Sequence, residues 1–284
     1  MDPSRYGNIA ANTSNTISAR IWRDFPFAAM KTNPSIGQWM HDDFDRFPTL
    51  AATTSNITGE HAGARVFLSG GSAAGGSITQ SATEMGGVVT LTGGDTDNET
   101  AGIEWDGLAA LIASGSIRKL AMEARFKVSS IATSFANLFI GWTLVGSIAE
   151  DYPLADTPAN SAPFTTTADA VGFFRAETAP ASLGFGHIEN GTTQVIDIAA
   201  AATLVANTYI KAGFVIDFDQ AVERQGEIVI NGVPSSTYLT NTVLTASAFP
   251  KAVTMCPAIQ AKNSAGSATD SVSIDWIRAG YLRR

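Results

Sequence analysis

The sequence predicts an all-β protein: an antiparallel β-sandwich preceded by an extended N-terminal arm. Three observations support this fold class. Apolar and polar residues alternate strictly from Met122 to Val128, which is typical of a strand with one face in a core. The strand expected at 138–144 is apolar on nearly both faces, as for a strand between two packed layers. About a dozen short strands recur at roughly 8–15-residue spacing, a pattern that indicates a sandwich or jelly roll.

Composition and charge exclude several classes of function. The chain has 284 residues and a hydrophobic content of 45%, which is enough for one large domain to bury a core without disulfides. Cys256 is the single cysteine, so we interpret it as a small buried apolar residue. The net charge of −8 argues against a nucleic-acid-binding surface. We expect neither a membrane span nor a signal peptide, because the apolar runs are short and the N-terminus is polar.

Residues 1–40 are predicted to form the arm, and residues 41–284 the sandwich. Asn, Ser and Thr dominate the start of the arm. Further along it lie aromatic and basic residue types that are enriched at interface anchors: Arg20, Trp22, Arg23, Phe25 and Phe27. We therefore expect the arm to dock on a neighbouring subunit or partner. The alternative is a strap over the chain's own sandwich.

The sandwich is predicted to open with short strands separated by turn residues. Phe44 and Phe47 are spaced for a first short strand that Pro48 ends. Further strands are expected at 64–70, 75–82, 86–94 and 102–105. Segment 107–115 is rich in Leu and Ala, and its pattern leaves both a short helix and a strand open.

The second half of the chain is predicted to begin with a long irregular segment. Residues 145–167 contain three prolines, and loops of this length are usually functional or mobile. A run of strands follows at 168–177, 182–190, 192–200, 208–218, 227–233, 252–262 and from 271 to the C-terminus. The Asn190-Gly191 step suits the positive φ values of a type I′ hairpin turn, and Asn231-Gly232 is a second turn signal.

Four pieces of the sequence carry a resemblance to a known family. They are the opening DDF, the pair EARFKV and FIGW, the FVIDF and GEIVING meander, and the final SIDWIRAGY. Together they resemble concanavalin A-like (laminin G-like) jelly-roll domains over residues 42–282. More narrowly, they resemble the versions carried by virion structural proteins of tailed bacteriophages.

The resemblance implies a non-enzymatic virion structural protein that decorates or cements a phage capsid. Its implied partners are the major capsid protein or another virion protein, together with further copies of itself. Its implied location is the capsid exterior, after assembly in the host cytoplasm. The alternative function is a carbohydrate-binding, lectin-like module of a phage fibre or head appendage, which would bind a surface glycan.

The sequence does not predict an enzyme. The same fold hosts glycoside hydrolases, but the E-x-D-x-x-E strand that the resemblance would require is missing. Asp217 and Asp219 are two residues apart, yet they lie at a predicted strand end and we interpret them as turn residues. No HExxH, G-x-S-x-G or phosphate-loop motif is present either. We therefore assign no catalytic residues.

Two sets of residues are candidates for binding a metal ion or a partner. The densest cluster of oxygen ligands is Asp95, Asp97, Asn98 and Glu99, which leaves open a calcium site and a simple turn. Tyr152 and Phe164 lie in the proline-rich segment, so we expect them to contact a sugar or a protein at the surface. The predicted core tryptophans are Trp105, Trp142 and Trp276.

Overall fold

The computed structural model describes residues 17–52, 55–61, 63–70, 75–81, 84, 87–112, 115–132, 137–220, 224–263 and 270–284. The first sixteen residues of the predicted arm lie outside the described residues. Strands dominate the described part of the chain, which also holds three short helices and a 3-10 turn at Asp106–Leu108. No helix in the described ranges has the length and apolar character needed to cross a membrane.

The first ten strands are β1 (Gly37–Asp42), β2 (Leu50–Ala51), β3 (Ile57–His61), β4 (Ala64–Leu68), β5 (Ser77–Gln80), β6 (Val89–Thr92), β7 (Thr100–Glu104), β8 (Ala110–Ile112), β9 (Ile117–Val128) and β10 (Asn137–Leu144). The others are β11 (Leu154–Ala159), β12 (Ala162–Phe164), β13 (Ala170–Arg175), β14 (Ser182–Ile188), β15 (Val195–Thr203), β16 (Ile210–Asp217), β17 (Gly226–Ile230), β18 (Val233–Leu239), β19 (Val253–Lys262) and β20 (Ser271–Arg283). The helices are α1 (Ala19–Trp22), α2 (Phe27–Thr32) and α3 (Asn241–Thr245).

Two nine-stranded antiparallel sheets form a sandwich, which confirms the predicted fold class. Sheet 1 has the order β18-β17-β16-β9-β20-β6-β5-β2, with β1 also paired to β20. Sheet 2 has the order β15-β14-β13-β10-β19-β7-β4-β3, with β8 also paired to β19. The two strands on which the prediction depended, β9 and β10, are interior strands of sheet 1 and sheet 2 respectively.

The core lies between the sheets and follows the predicted alternation. Met122 and Phe126 of β9 face this core, while Glu123 on the same strand faces the opposite side. The three tryptophans predicted to be buried are at most 6% exposed, which confirms that prediction. In β9 the sequence pattern thus determined which face of the strand is turned toward the core between the sheets.

The outer face of each sheet is also covered, in each case by a segment of the same chain. Residues 17–36, the N-terminal strap, pack Ile21, Trp22, Phe25 and Met30 against sheet 1. Residues 145–168, the proline-rich strap, pack Ile148, Leu154 and Phe164 against sheet 2. The prediction of an irregular loop at 145–167 is wrong in part, because this segment contains the β11–β12 hairpin.

Several other local predictions differ from the structure. The first strand is β1, which begins at Gly37 and ends before Phe44; Phe44 instead packs against Phe47 in the loop that follows, with a ring-centroid distance of 5.8 Å. Segment 107–115 contains the end of the 3-10 turn and β8, so its strand alternative is confirmed. Residues 234–246, for which no element was predicted, form most of β18 and α3.

The two Asn-Gly steps form different turns. Asn231 and Gly232 both have positive φ, 50° and 82°, and they join β17 to β18 as a two-residue loop. These values fit a type I′ turn. At 190–191 only Gly191 has positive φ, so the type I′ prediction is wrong there. The hairpin itself is present, since β14 pairs with β15.

Candidate functional site

An open groove of about 430 Å³ runs along one edge of β1 and is called the β1 groove below. The 3-10 turn after Trp105 and helix α2 also contribute residues to its lining. Its apolar lining consists of Met30, Trp39, Met40, Trp105 and Leu108. Polar groups come from Lys31 and Gln38, and from the backbone of the edge strand.

The register of β1 explains why backbone groups face this groove. Arg283 N donates to Ile36 O at 2.9 Å, and antiparallel pairing places hydrogen-bonded partners at every second residue. Gly37 and Trp39 occupy the alternate positions, so their N–H and C=O groups point away from β20 and toward the groove. In the part of the chain that the structure describes, no group hydrogen-bonds to these backbone atoms.

The two tryptophans of the groove are held in fixed positions. The ring of Trp39 packs edge-on against Phe27 at a centroid distance of 4.8 Å and remains partly exposed. Trp105 is 6% exposed, and its Nε1 donates to Asp42 Oδ2 at 3.3 Å. Burial raises the pKa of Asp42, although the bonds from Phe44 N and from this indole oppose the shift. Each tryptophan ring is therefore held by at least one specific contact with a neighbouring side chain.

The polar side chains of the groove can donate hydrogen bonds. Gln38 Oε1 accepts from the Tyr281 hydroxyl at 3.0 Å, which fixes the amide plane. The amide nitrogen of Gln38 has no partner among the described residues, and Lys31 is exposed. No Asp, Glu, His or Cys is among the described lining residues, so the groove contains no acid–base pair or metal ligand of those types. This arrangement can bind a polar ligand with an apolar face.

The aromatic residues predicted to dock the arm on a partner instead pack on the chain's own sheet. Trp22 is 3% exposed and Phe25 is 5% exposed. Trp22 Nε1 donates to Glu123 Oε2 at 2.8 Å, and Phe27 supports Trp39. Residues 17–36 thus form the strap that was the alternative prediction. Docking on a neighbouring subunit stays a prediction, and the buried rings of Trp22 and Phe25 are not part of the accessible surface.

The two arginines of the predicted arm differ in their contacts. Arg20 makes a bidentate pair with Glu227, with N···O distances of 2.6 and 2.5 Å. Arg23 is largely exposed, and its Nε lies 3.5 Å from Asp24 Oδ2. Arg20 therefore adds an ion pair between the strap and β17, whereas Arg23 remains at the surface.

Phe164 does not lie at the surface, where the sequence predicted it, and Tyr152 is only partly exposed. Phe164 is 2% exposed and packs edge-on against Phe139 and Phe174, at centroid distances of 6.0 and 5.7 Å. The expected exposure is wrong because the β11–β12 hairpin folds onto sheet 2. Tyr152 is partly buried, and its hydroxyl accepts from Asp169 N at 2.8 Å. Burial also raises the pKa of Tyr152.

The calcium candidates form a turn between β6 and β7. Glu99 Oε2 accepts from Thr96 N at 2.9 Å, and the amide of Asn98 donates to Asp156. Over the described ranges, no three His, Cys, Asp or Glu side chains are grouped so that they could hold a metal ion. Asp95 and Asp97, the other two candidates, therefore do not complete such a group with Glu99. The described contacts are those of a turn, and the calcium site stays a prediction.

The acidic pair near the end of β16 is used in ion pairs. Asp217 Oδ2 lies 2.9 Å from Lys119 Nζ, and Asp219 Oδ1 lies 2.5 Å from an Arg284 nitrogen. These contacts agree with the interpretation that the two carboxylates are structural.

Sequence reasoning missed the β1 groove entirely. Gln38 and Trp39 were assigned to the arm, and Leu108 to a segment of uncertain structure. The one available signal was an amide next to an aromatic residue in GQWM. Nothing in the sequence links residues 37–40 with residues 105–108, because only the tertiary fold brings them together.

No protein-family profile matches the chain, and no curated protein sequence matches it. Solved structures do match it. Peanut lectin in complex with a nine-residue peptide is 12% identical and has a TM-score of 0.51, covering 87% of this chain and 99% of the lectin. The fold is that of the concanavalin A-like lectins.

Two further structures show the same general likeness. Winged bean acidic lectin, complexed with methyl-α-D-galactose, is 14% identical with a TM-score of 0.49, covering 87% of this chain and 99% of the lectin. A protein of unknown function from Shewanella oneidensis MR-1 is also 14% identical with a TM-score of 0.49, covering 91% of this chain and 94% of that one. At these identities the likeness concerns the fold alone.

Proposed function

We propose that the protein is a non-catalytic carbohydrate-binding module and that its ligand occupies the β1 groove. The observation that carries this proposal is the lining of the groove, where tryptophan and aliphatic walls lie beside amide, ammonium and backbone donors. Carbohydrates present the matching chemistry, since a sugar ring has an apolar C–H face and a rim of hydroxyls. The lectin-type sandwich supports the same class of ligand.

A bound sugar would use each part of the groove differently. Its C–H face packs on the partly exposed indole of Trp39. Its hydroxyls bond to the amide of Gln38, to Lys31 and to the outward backbone groups of β1. A volume of about 430 Å³ lies within the range of roughly 300–1,000 Å³ that is usual for small-ligand pockets.

The two straps explain why the groove, rather than a sheet face, is the proposed site. Residues 17–36 cover part of the outer face of sheet 1, and residues 145–168 cover part of the outer face of sheet 2. A flat ligand has no access to the covered parts. The edge of β1 is open, and it presents both backbone and side-chain donors.

The virion role stays a prediction. No comparison supports capsid cementing, and the fold does not test a capsid partner, self-association or a location on the capsid exterior. The absence of catalysis is part of the proposal and rests on the lining of the groove.

The test is a glycan array followed by calorimetric titration of the best ligand. Lys31→Ala and Trp39→Ala are each expected to weaken binding about tenfold or more, which corresponds to about 1.4 kcal/mol. Lys31 is exposed, so its substitution leaves the fold intact even if Trp39→Ala disturbs the contact with Phe27. Val205→Ala, at an exposed position outside the groove, is the control and should bind as the parent does. An array without signal, or unchanged binding by both variants, would refute the proposal.

A further inference from the structure

A second recess, of about 210 Å³, lies where the N-terminal strap meets the β16–β18 edge of sheet 1. It is called the Arg224 recess below. Four basic and three acidic side chains line it, so its formal charge is +1. The whole chain carries −8, and the recess is therefore a local reversal of charge.

The three carboxylates of the recess are already paired. Glu227 holds the guanidinium of Arg20 through two bonds of 2.6 and 2.5 Å. Lys119 is almost buried, and its ammonium lies 2.8 Å from Asp24 and 2.9 Å from Asp217. These contacts join the strap to β9, β16 and β17. They involve two of the four cations, Arg20 and Lys119. The guanidinium groups of Arg23 and Arg224 can still donate hydrogen bonds to a ligand.

Arg224 is the better placed of the remaining cations. Its guanidinium carbon lies 4.7 Å from the ring centroid of Tyr238. Arg224 has no carboxylate partner among the described residues. An arginine stacked on an aromatic ring keeps its N–H donors in the plane of the fork, where they can hold a carboxylate through two bonds. Arg23 also lines the recess, with its side chain 65% exposed and only the 3.5 Å contact to Asp24.

Sugar-binding chemistry surrounds these two arginines. The ring of Tyr238 and the amide of Gln225 also line the recess. A volume of about 210 Å³ is below the usual range for a whole small-molecule ligand, so it suits one charged residue of a longer chain. The recess thus combines a guanidinium, which can donate two hydrogen bonds to a carboxylate, with an aromatic ring and an amide.

We propose that the Arg224 recess binds the carboxylate of an acidic sugar, a uronic acid residue, with Arg224 as the principal donor and Arg23 as the second. The sugar part of this inference rests on the proposed carbohydrate-binding function. The preference for an anion rests on the recess alone.

Calorimetric titration of the full chain tests the proposal with three probes: an oligogalacturonate, a neutral oligosaccharide of equal length and inorganic phosphate. The oligogalacturonate should bind, and Arg224→Ala should weaken it about tenfold or more. Arg224→Lys keeps the charge but loses the two-pronged guanidinium, so its affinity for oligogalacturonate should lie between those of the parent and Arg224→Ala. Arg46→Ala, an exposed arginine outside both sites, is the matched control and should bind as the parent does. Salt should weaken binding of the charged probe and leave the neutral one unchanged.

The outcomes separate this inference from the proposed function. The proposed uronate site is overturned if oligogalacturonate does not bind, or if the parent and Arg224→Ala bind it equally. Phosphate binding as tightly as the oligogalacturonate, with the same dependence on Arg224, also overturns it, because a general anion site would then explain the data. Trp39→Ala and Lys31→Ala could leave all binding intact while Arg224→Ala abolishes uronate binding. In that case the proposed ligand site in the β1 groove is wrong, and the proposed uronate site in the Arg224 recess is supported.

Discussion

The two straps perform the same structural task with different chemistry. Each lies on the outer face of one sheet and removes apolar surface from water. The N-terminal strap depends on charged and aromatic contacts with sheet 1. The proline-rich strap depends mainly on packed phenylalanine rings.

The N-terminal strap is held by a buried carboxylate and a buried guanidinium. Glu123 is 1% exposed and accepts from Ser18 N at 3.1 and 3.0 Å as well as from Trp22 Nε1. Arg278 is 5% exposed, and its guanidinium carbon lies 5.0–5.5 Å from the ring centroids of Phe27, Trp39 and Trp22. Such contacts are directional, so they fix where the strap lies on the sheet.

The proline-rich strap is anchored chiefly by shape. Phe164 inserts between Phe139 and Phe174, and all three rings are at most 2% exposed. Polar contacts add to this packing, and among them the buried ammonium of Lys262 lies 2.8 Å from Asp151 Oδ1 and 2.9 Å from Ala155 O. Aromatic residues in a segment rich in polar residues and proline therefore do not by themselves indicate a binding site for another protein. Their binding surface can be a sheet of the same chain.

The largest effect is expected in the proline-rich strap. Phe164→Ala should lower the free energy of unfolding by about 3–5 kcal/mol, because it removes a fully buried ring and leaves a cavity. Urea denaturation measures this change, and Val205→Ala at an exposed position should stay within about 0.5 kcal/mol of the parent. A loss below about 1 kcal/mol for Phe164→Ala would mean that apolar packing does not hold this strap.

A smaller and more local effect is expected in the N-terminal strap. Glu123→Ala leaves Ser18 N and Trp22 Nε1 without their acceptor, and each unsatisfied buried donor costs about 1–3 kcal/mol. The variant also removes a buried carboxylate, so we expect a net loss of about 1–3 kcal/mol. Hydrogen exchange should accelerate at residues 17–36 and stay unchanged at 145–168.

The exposed Glu60 supplies the matched control for this variant. Glu60→Ala should change exchange in neither strap. If Glu123→Ala accelerated exchange equally in both straps, the two segments would not be independent and the comparison would fail.

The smallest effect is expected in the pH dependence of the free energy of unfolding. Burial raises the pKa of Glu123, although its hydrogen bonds from Ser18 and Trp22 oppose that shift. A carboxyl whose pKa is higher in the folded state binds more protons there, so its contribution to stability falls as the pH rises from about 4 through the raised pKa. Glu123→Gln should flatten this part of the stability curve. Urea unfolding at a series of pH values checks it, and parallel curves for parent and variant would contradict the assignment.

Periodicity alone determined the fold class and most of the strands. Strict alternation in β9 and the doubly apolar β10 required one core between two sheets, because a strand must bury each of its apolar faces. The Asn231-Gly232 turn was also determined by the local sequence, since both residues tolerate positive φ. Where the local pattern and the fold agreed, as in the buried tryptophans, the sequence was sufficient.

The tertiary structure alone decided where the straps lie and where a ligand can enter. Trp22 meets Glu123 101 residues away, and Phe164 meets β10 and β13 only because the β11–β12 hairpin folds back. The β1 groove and the Arg224 recess each join elements that are distant in the chain. Sequence periodicity reports which face of a strand is apolar, but it does not report which segment covers that face. That choice depends on long-range packing and on charges that meet only in the folded chain.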